Sequence, residues 1–412
     1  MNGTAQESDT DPRRWRVLAL MALAELLGMS LWFAGNAIAP QLQERWSLTG
    51  SQVGWLTTAV QLGFVAGTAV IAVLNLADIL PSRTLFAASA VLGAGFNALL
   101  LTATGFGSGT ATRFACGFCL AGVYPPAMKM ISTWFKARRG LAVGTVVGAL
   151  TVGKATPYLV HAIPGADVIA VVLAGSLSAV AAAGLVWLGF HDGPYPFPPR
   201  PFSWGLVRSV ASHRQWRLAT GGYLGHMFEL YSYWTWIPAF LAASAASAST
   251  HPLSNSLVLL LSFGTIAIGG LGCVWGGLVA DRVGRERLVI MAMAASGVCA
   301  LVLGLTFGRS WWLLAPVALA WGFFVVADSA QFSVLVTESV PAHAVGTALM
   351  VQTSLGFLLT TITIQLVPPL VNSVGWGWAF PLLALGPFAG IAAIRRLVAL
   401  KDGARADTIK PG

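Results

Sequence analysis

Charged side chains are scarce in this sequence of 412 residues. Asp, Glu, Lys and Arg together make up 9% of the chain, whereas hydrophobic residues make up 56%. A soluble domain carries roughly a quarter charged residues, because charge covers the surface that faces water. The shortage excludes an ordinary soluble protein and predicts an integral membrane protein that contacts the lipid bilayer.

Cysteines and catalytic motifs are scarce as well. All four cysteines lie in apolar segments, and the Cys116–Cys119 spacing is better explained by small-residue packing than by redox chemistry. The sequence has no Walker phosphate loop, no metal-type histidine pair and no nucleophile elbow. We therefore expect a protein that is not an enzyme and needs neither a cofactor nor a metal. The first eleven residues lack the apolar region of a signal peptide, so none is expected.

Long apolar segments are abundant, and twelve of them can each cross a bilayer. A spanning helix needs ~20 predominantly apolar residues. The expected spans are 17–39, 52–74, 84–104, 110–131, 141–163, 168–190, 218–242, 256–279, 288–308, 311–337, 346–371 and 378–399. A proline-rich stretch between the sixth and seventh spans predicts a linker. The predicted organisation is a tail, a six-helix bundle, a linker, a second six-helix bundle and a tail, at 1–16, 17–190, 191–217, 218–399 and 400–412.

Basic residues are unevenly distributed between the two sides of these spans. Of the 24 lysines and arginines, 19 lie in the tails, the linker and the loops of one side, whereas the opposite loops carry only Arg45 and Arg309. Lysine and arginine accumulate in the cytoplasmic loops of membrane proteins. Both termini are therefore expected in the cytoplasm, with the protein in the cell (inner or plasma) membrane. The net charge of +9 is then a signal of orientation and not of nucleic-acid binding.

A charged hairpin, GLVADRVGRER at 277–287, stands between two apolar segments. It contains Asp281-Arg282-x-Gly284, in which glycine permits the positive φ of a tight turn. A degraded copy stands 203 residues before it, where Asp78 is followed by Ile79 instead of arginine. A hairpin that recurs in this way indicates that the chain consists of two related halves.

Other landmarks recur at nearly the same offset. Glu25 and Glu229 are 204 residues apart, and Gly140 and Gly346 are 206 apart. The hairpin and the repeat resemble those of the major facilitator superfamily over essentially the whole chain. The resemblance implies an all-α membrane fold of twelve transmembrane helices in two pseudo-symmetric six-helix bundles, working as a monomer by alternating access. It also implies a conformational latch of hairpin charges, formed here by Asp78, Arg83, Asp281, Arg282 and Arg287.

Polar side chains inside the expected spans are the candidates for function. A charge at bilayer depth costs several kcal/mol unless it is paired or hydrated. In the superfamily, helices 1, 4, 7 and 10 line the central cavity, and most of the charged candidates fall on those helices. We predict that substrate binding or proton coupling involves Glu25, Trp32, Arg113, Lys154, His226, Glu229, Tyr233, Asp328 and Gln331.

Several candidates have a structural alternative. Glu229 can exchange protons beside His226, or it can form hydrogen bonds that only hold the protein together. Lys154 can pair with Glu25, or it can face an anionic substrate. Arg113 opens the fourth span in a pattern similar to a superfamily signature linked to proton transfer. The aromatic run at 231–236 can wall a binding site or belong to an interfacial belt.

The resemblance implies a secondary active transporter for a small solute. Arg113 and Lys154 favour a small organic or inorganic anion, and intramembrane acids beside bases suit coupling to protons. The general pattern looks nearest to the nitrate/cyanate-type branch, although the glycine- and asparagine-rich signatures of nitrate porters are missing. The alternative is proton-driven efflux of drugs or metabolites, for which the motif is partial because Ala149 follows Gly148 where proline is expected.

Overall fold

The computed structural model describes residues 11–136, 138–195, 203–247 and 254–409, and within them every regular element is a helix. We number the long helices in chain order. In the first half they are α1 (Arg13–Met29), α2 (Gly50–Val73), α3 (Ser82–Leu99), α4 (Phe106–Leu120, resuming as Tyr124–Ser132), α5 (Arg139–His161) and α6 (Val168–Gly189). In the second half they are α7 (Arg214–Ser247), α8 (Asn255–Ala267, resuming as Gly269–Val283), α9 (Arg285–Leu305), α10 (Trp311–Ala327, resuming as Ser329–Glu338), α11 (Val345–Val374) and α12 (Leu385–Ile409).

Ten of the described helical spans are long and apolar enough to cross a membrane. The two long helices outside that set are α1 and α7. Helix α1 ends after 17 residues, because the chain unwinds before it resumes as Ala34–Ala37 and Ala39–Trp46. Helix α7 has 34 residues but carries charged and polar side chains along much of its length. The prediction of an all-helical membrane protein is confirmed, and the two helices outside the set, α1 and α7, are the first helices of the two halves.

The two halves pack in the same way. In the first, α1 lies against α5 and α6, α2 against α4, and α3 against α4 and α6. In the second, α7 lies against α11 and α12, α8 against α10, and α9 against α10 and α12. The halves meet through α2 against α11 and through α5 against α8, which are equivalent pairs. The architecture is two pseudo-symmetric six-helix bundles joined along two seams.

The helix breaks follow the same symmetry in part. Helix α4 is interrupted before Tyr124, where two prolines follow, and the equivalent helix α10 is interrupted at Asp328. The longest break, at residues 30–33 after α1, has no counterpart in the continuous helix α7. Discontinuous helices near the middle of the bilayer are typical of transporter binding sites. The segment that follows α1 is therefore a candidate part of the binding site.

Glycine allows α2 and α4 to pack backbone against backbone. A Cβ added at Gly63 would lie 2.0 Å from the carbonyl oxygen of Phe114, and one added at Gly117 would lie 2.2 Å from that of Val60. Small residues permit such close approach between membrane helices. This contact fixes which face of α2 is turned towards α4, and it leaves the opposite face for the centre of the molecule.

We expect Gly63→Ala to destabilise the protein, because the added methyl group would collide with backbone that has no room to move. Overpacking of this kind costs about 1–3 kcal/mol. Gly95→Ala on α3 is the matched control, since nothing lies within 4 Å of its Cβ position. Thermal unfolding in detergent should show a lower melting temperature for Gly63→Ala alone. Equal melting temperatures for the two variants would contradict the close packing.

Candidate functional site

Arg113 holds the break after α1 in place. Its guanidinium donates hydrogen bonds to the carbonyl oxygens of Leu31, at 3.1 Å, and Trp32, and to Asn97 Oδ1 at 3.2 Å. Gly35 leaves room for it, since a Cβ there would lie 3.0 Å from the arginine Nε. The unwound turn exposes carbonyl oxygens that a continuous helix would have paired internally. Arg113 is completely buried and supplies the missing donors.

The break places Trp32 beside Lys154, the candidate on α5. The Lys154 Nζ lies 4.1 Å from the centroid of the Trp32 ring and donates a hydrogen bond of 2.6 Å to the hydroxyl of Tyr231. It also lies 5.0 Å from the ring of Trp234. Lysine and Trp32 belong to the first bundle and the other two rings to α7, so this contact joins the bundles. Aromatic faces attract a desolvated ammonium by about 2 kcal/mol or more.

Phenylalanines extend this arrangement into an aromatic cluster between the bundles. Phe64 of α2 lies 5.3 Å from Trp32 and 4.7 Å from Phe357 of α11, measured between ring centroids. Phe357 also lies 5.2 Å from Tyr231. We call Trp32, Phe64, Tyr231, Trp234 and Phe357 the central aromatic cluster. It surrounds Lys154 with apolar surface, and such surface with a few convergent polar groups is typical of small-molecule sites.

Glu25 lies in the same region without a hydrogen-bond partner. Its side chain is 0% exposed, and neither carboxylate oxygen accepts a hydrogen bond from any described residue. Lys154 is the cation that interacts with it electrostatically, but the two form no ion pair within 4.0 Å among the described residues. An unsatisfied carboxylate in a dry interior is unfavourable unless it gains a proton or a ligand. Glu25 and Lys154 therefore remain chemically available at the centre.

The equivalent residue in the second half, Glu229, is fully engaged. Its two carboxylate oxygens accept hydrogen bonds from Ser296, at 2.6 Å, and from the indole of Trp321, at 2.7 Å. Tyr233 also turns into the second bundle, where its hydroxyl donates to the carbonyl oxygen of Ala318 at 2.9 Å. Both residues thus contact their own bundle, away from the central aromatic cluster.

His226 and Asp328 form a separate buried cluster at the break of α10. The His226 Nδ1 lies 2.9 Å from Asp328 Oδ1, at an angle that makes no hydrogen bond, and Nε2 pairs with the Ser329 hydroxyl at 2.9 Å. Gln331, on the helix that resumes after the break, is also buried. These groups tie α7 to the interrupted α10 within the second bundle.

The site also contains residues that a search for charge overlooks. Gln61 of α2 is completely buried, and the rings of Tyr231 and Trp234 lie 4.9 and 5.0 Å from the Lys154 ammonium. In the sequence, the aromatic run at 231–236 pointed to Tyr231 and Trp234. It did not show which of its rings face the centre of the molecule. The span at 52–74 also contains Gln52, and the complete burial of Gln61 distinguishes the two amides only in the folded protein.

Similarity to known proteins indicates the general function of this chain. The sequence profile of the Major Facilitator Superfamily matches residues 20–363. The chain belongs to the Major Facilitator Superfamily. It is therefore a multi-pass membrane transporter, as the hairpin and the repeat led us to expect.

The chain is also similar to proteins named as transporters of hexuronate and of galacturonate. The chain is 23% identical to the hexuronate transporter of Escherichia coli (strain K12) over 92% of this chain and 93% of that protein. It is 30% identical to the galacturonate transporter of Dickeya chrysanthemi, but over 44% of this chain and 52% of that protein. The match thus spans about half of the galacturonate transporter and nearly all of the hexuronate transporter.

A solved structure has the same fold as this chain. It is a bacterial homologue of the human lysosomal transporter Spinster in an inward-facing and unoccupied conformation. The two chains superpose with a TM-score of 0.69 over 95% of this chain and 96% of that one, at 15% sequence identity. At that identity the likeness concerns the fold alone.

The hairpin at 277–287 has the expected backbone turn, but the ion pairs near it do not involve the predicted latch residues. Gly284 has a φ of +92°, as a tight turn requires. Neighbouring residues form the cross-helix ion pairs, with Arg285 2.9 Å from Glu338. The predicted latch residues Arg83, Asp281, Arg282 and Arg287 form no ion pair among the described residues, and the side chain of Asp78 lies outside them. The latch therefore stays a prediction.

Arg113→Leu should destabilise the fold, because three buried acceptors would lose their donors at about 1–3 kcal/mol each. Arg113→Lys should recover part of the loss, since an ammonium can still donate to the Trp32 carbonyl. Arg309→Leu, at an exposed arginine, is the control. Melting temperatures of the purified variants measure the effect. An unchanged melting temperature together with lost ligand binding would instead place Arg113 in the substrate site.

Proposed function

We propose that this protein is a secondary active transporter of a small organic anion, with Lys154 as the group that binds the anion's carboxylate. The observation that carries the proposal is the position of Lys154. Its ammonium is buried between the two bundles and has the hydroxyl of Tyr231 as its hydrogen-bond partner. Two further donor sites on the ammonium remain for a ligand, because an ammonium has three. A carboxylate is the ligand that this charge favours.

The substrates in the names of the relatives support an organic anion over an inorganic one. Hexuronate and galacturonate are sugar acids, and a shikimate transporter of Escherichia coli (strain K12) is 25% identical over 42% of this chain and 43% of that protein. The central aromatic cluster also suits a ring-shaped substrate, because aromatic side chains pack well against the faces of rings. The finer likeness to the nitrate/cyanate-type branch gains no support from these relatives. We therefore favour a carboxylate on a ring the size of a sugar.

Alternating access would work through the contacts that cross between the bundles. Lys154 and Tyr231 join them at the centre, and Ser51 and Thr58 of α2 join Gln365 of α11 at one end. A substrate carboxylate would compete with Tyr231 for the ammonium. Substrate binding would thereby loosen one contact between the bundles and let them rock about the site. The charged latch at the hairpins is proposed to act at the opposite end of the molecule.

Proton coupling is assigned to Glu25 and not to Glu229. Glu25 can gain or lose a proton without breaking a hydrogen bond, whereas Glu229 is held by Ser296 and Trp321. A protonated Glu25 no longer competes with a substrate carboxylate for the positive charge of Lys154. Anion and proton would then cross together as a symport. The side with 19 of the 24 basic residues is proposed to face the cytoplasm, with the protein acting as a monomer.

Lys154→Met should weaken anion binding, because it replaces the ammonium by an unbranched apolar side chain that is one atom shorter. The loss of a charge-assisted hydrogen bond, worth about 1.5–3 kcal/mol, corresponds to roughly a 10- to 150-fold weaker Kd. The measurement is the rise in melting temperature on addition of a hexuronate, compared with the same rise for Lys136→Met, an exposed lysine. Stabilisation of the wild type by lipophilic cations and by no organic anion would contradict the proposal and favour drug efflux.

Glu25→Gln should uncouple transport from the proton gradient. In proteoliposomes, we expect the wild type to accumulate a hexuronate faster when the outside is acidic. The variant should still exchange the anion across the membrane at equal pH. A pH gradient should not increase its rate of hexuronate accumulation, because an amide cannot carry the proton. Glu44→Gln, at an exposed residue, is the control. Gradient-driven uptake that survives in Glu25→Gln would remove Glu25 from the coupling mechanism.

A further inference from the structure

Gln61 lies on the face of α2 that is turned towards the break after α1. One turn before it, the hydroxyl of Thr57 accepts a hydrogen bond of 2.5 Å from Asn36. One turn after it, Phe64 packs on Trp32 and Phe357. Gly63 belongs to the opposite face, against α4. Residues three or four positions apart share one side of a helix, so Gln61 is directed between the α1 break and α11.

The amide of Gln61 is buried without a partner. The side chain is 0% exposed, and neither Oε1 nor Nε2 forms a hydrogen bond with any described residue. Leaving such a group unsatisfied costs about 1–3 kcal/mol. Gln365, the glutamine on the other side of the same seam, is satisfied by the hydroxyls of Ser51 and Thr58. If Gln61 only held α2 against α11, we would expect it to have hydrogen-bond partners as Gln365 does.

Further unpartnered polar atoms lie around Lys154. The indole Nε1 atoms of Trp32 and Trp234 are buried without an acceptor, although the rings of both residues flank the ammonium. The hydroxyl of Tyr158, one helical turn after Lys154 on α5, is buried without a partner as well. The charge that would hold a carboxylate is thus accompanied by donors and acceptors suited to neutral polar groups.

We propose that Gln61 is the residue that selects hydroxylated carboxylates over plain ones. The inference rests on the proposed function, because it assumes that Lys154 binds the carboxylate. An amide offers both a donor and an acceptor, and a hydroxyl group, or a pair of neighbouring hydroxyls, can use both at once. A site built to hydrogen-bond a hydroxyl discriminates against the analogue that lacks it, since the buried amide would otherwise stay unpaired. The substrate class is therefore a polyhydroxylated ring carboxylate.

The experiment compares two probes of the same ring size, a hexuronate and cyclohexanecarboxylate, on the purified full chain. Isothermal titration gives the Kd of each probe for the wild type, Gln61→Leu and Gln61→Met. We expect the wild type to prefer the hexuronate. Both variants should weaken hexuronate binding about tenfold, which is one hydrogen bond, and leave cyclohexanecarboxylate binding unchanged. Gln43→Leu, at an exposed glutamine in the short helix Ala39–Trp46, should alter neither Kd.

Melting temperatures without ligand separate this role from a structural one. Replacing an unpartnered buried amide by an apolar side chain should leave the melting temperature unchanged or raise it. A lower melting temperature, or equal weakening of both probes, would overturn the assignment of Gln61 while the proposed function stands. Equal affinity of the wild type for the two probes would overturn it too. If the wild type binds neither probe, or if Lys154→Met binds both normally, the proposed function itself fails.

Discussion

The buried ammonium of Lys154 is the constraint on which the centre of this transporter depends. A lysine buried inside the protein must find its stabilisation there. Here the stabilisation comes from the Tyr231 hydroxyl and from ring faces of both bundles. One side chain thus joins the bundles and also presents the positive charge that an anion needs. In the proposed mechanism, substrate binding and conformational change are connected because both use this ammonium.

The break after α1 makes this arrangement geometrically possible. A continuous helix would not carry Trp32 to the ammonium in the same way, and the break requires Arg113 to pair the exposed carbonyl oxygens. The second half has no such break, and its Glu229 is bonded where Glu25 is free of hydrogen bonds to described residues. The two bundles therefore share a scaffold but differ in chemistry. In the proposed function, the first half binds the anion and the proton, and the second half contributes the rings of Tyr231, Trp234 and Phe357.

The fold could be predicted from the sequence because its signals are local or periodic. Apolar length and the Asp281 hairpin depend on residues close together in the chain, and the glutamates Glu25 and Glu229 recur at the offset of the repeat. The site was harder to predict, since burial marks a side chain as important without showing what it contacts. Arg113 and Lys154 look equivalent as buried cations, yet one pairs with backbone and the other faces the centre. Gln61 carries no charge, so only its lack of partners in the folded protein identifies it.

The account depends most directly on where the carboxylate of a bound substrate lies. The decisive measurement is a cryo-electron microscopy structure of the protein with a hexuronate bound. We predict the carboxylate within hydrogen-bond distance of Lys154 Nζ, with the Tyr231 hydroxyl displaced and the sugar ring against the central aromatic cluster. A carboxylate bound instead at His226 and Ser329, or at Arg113 with the α1 break rearranged, would contradict it.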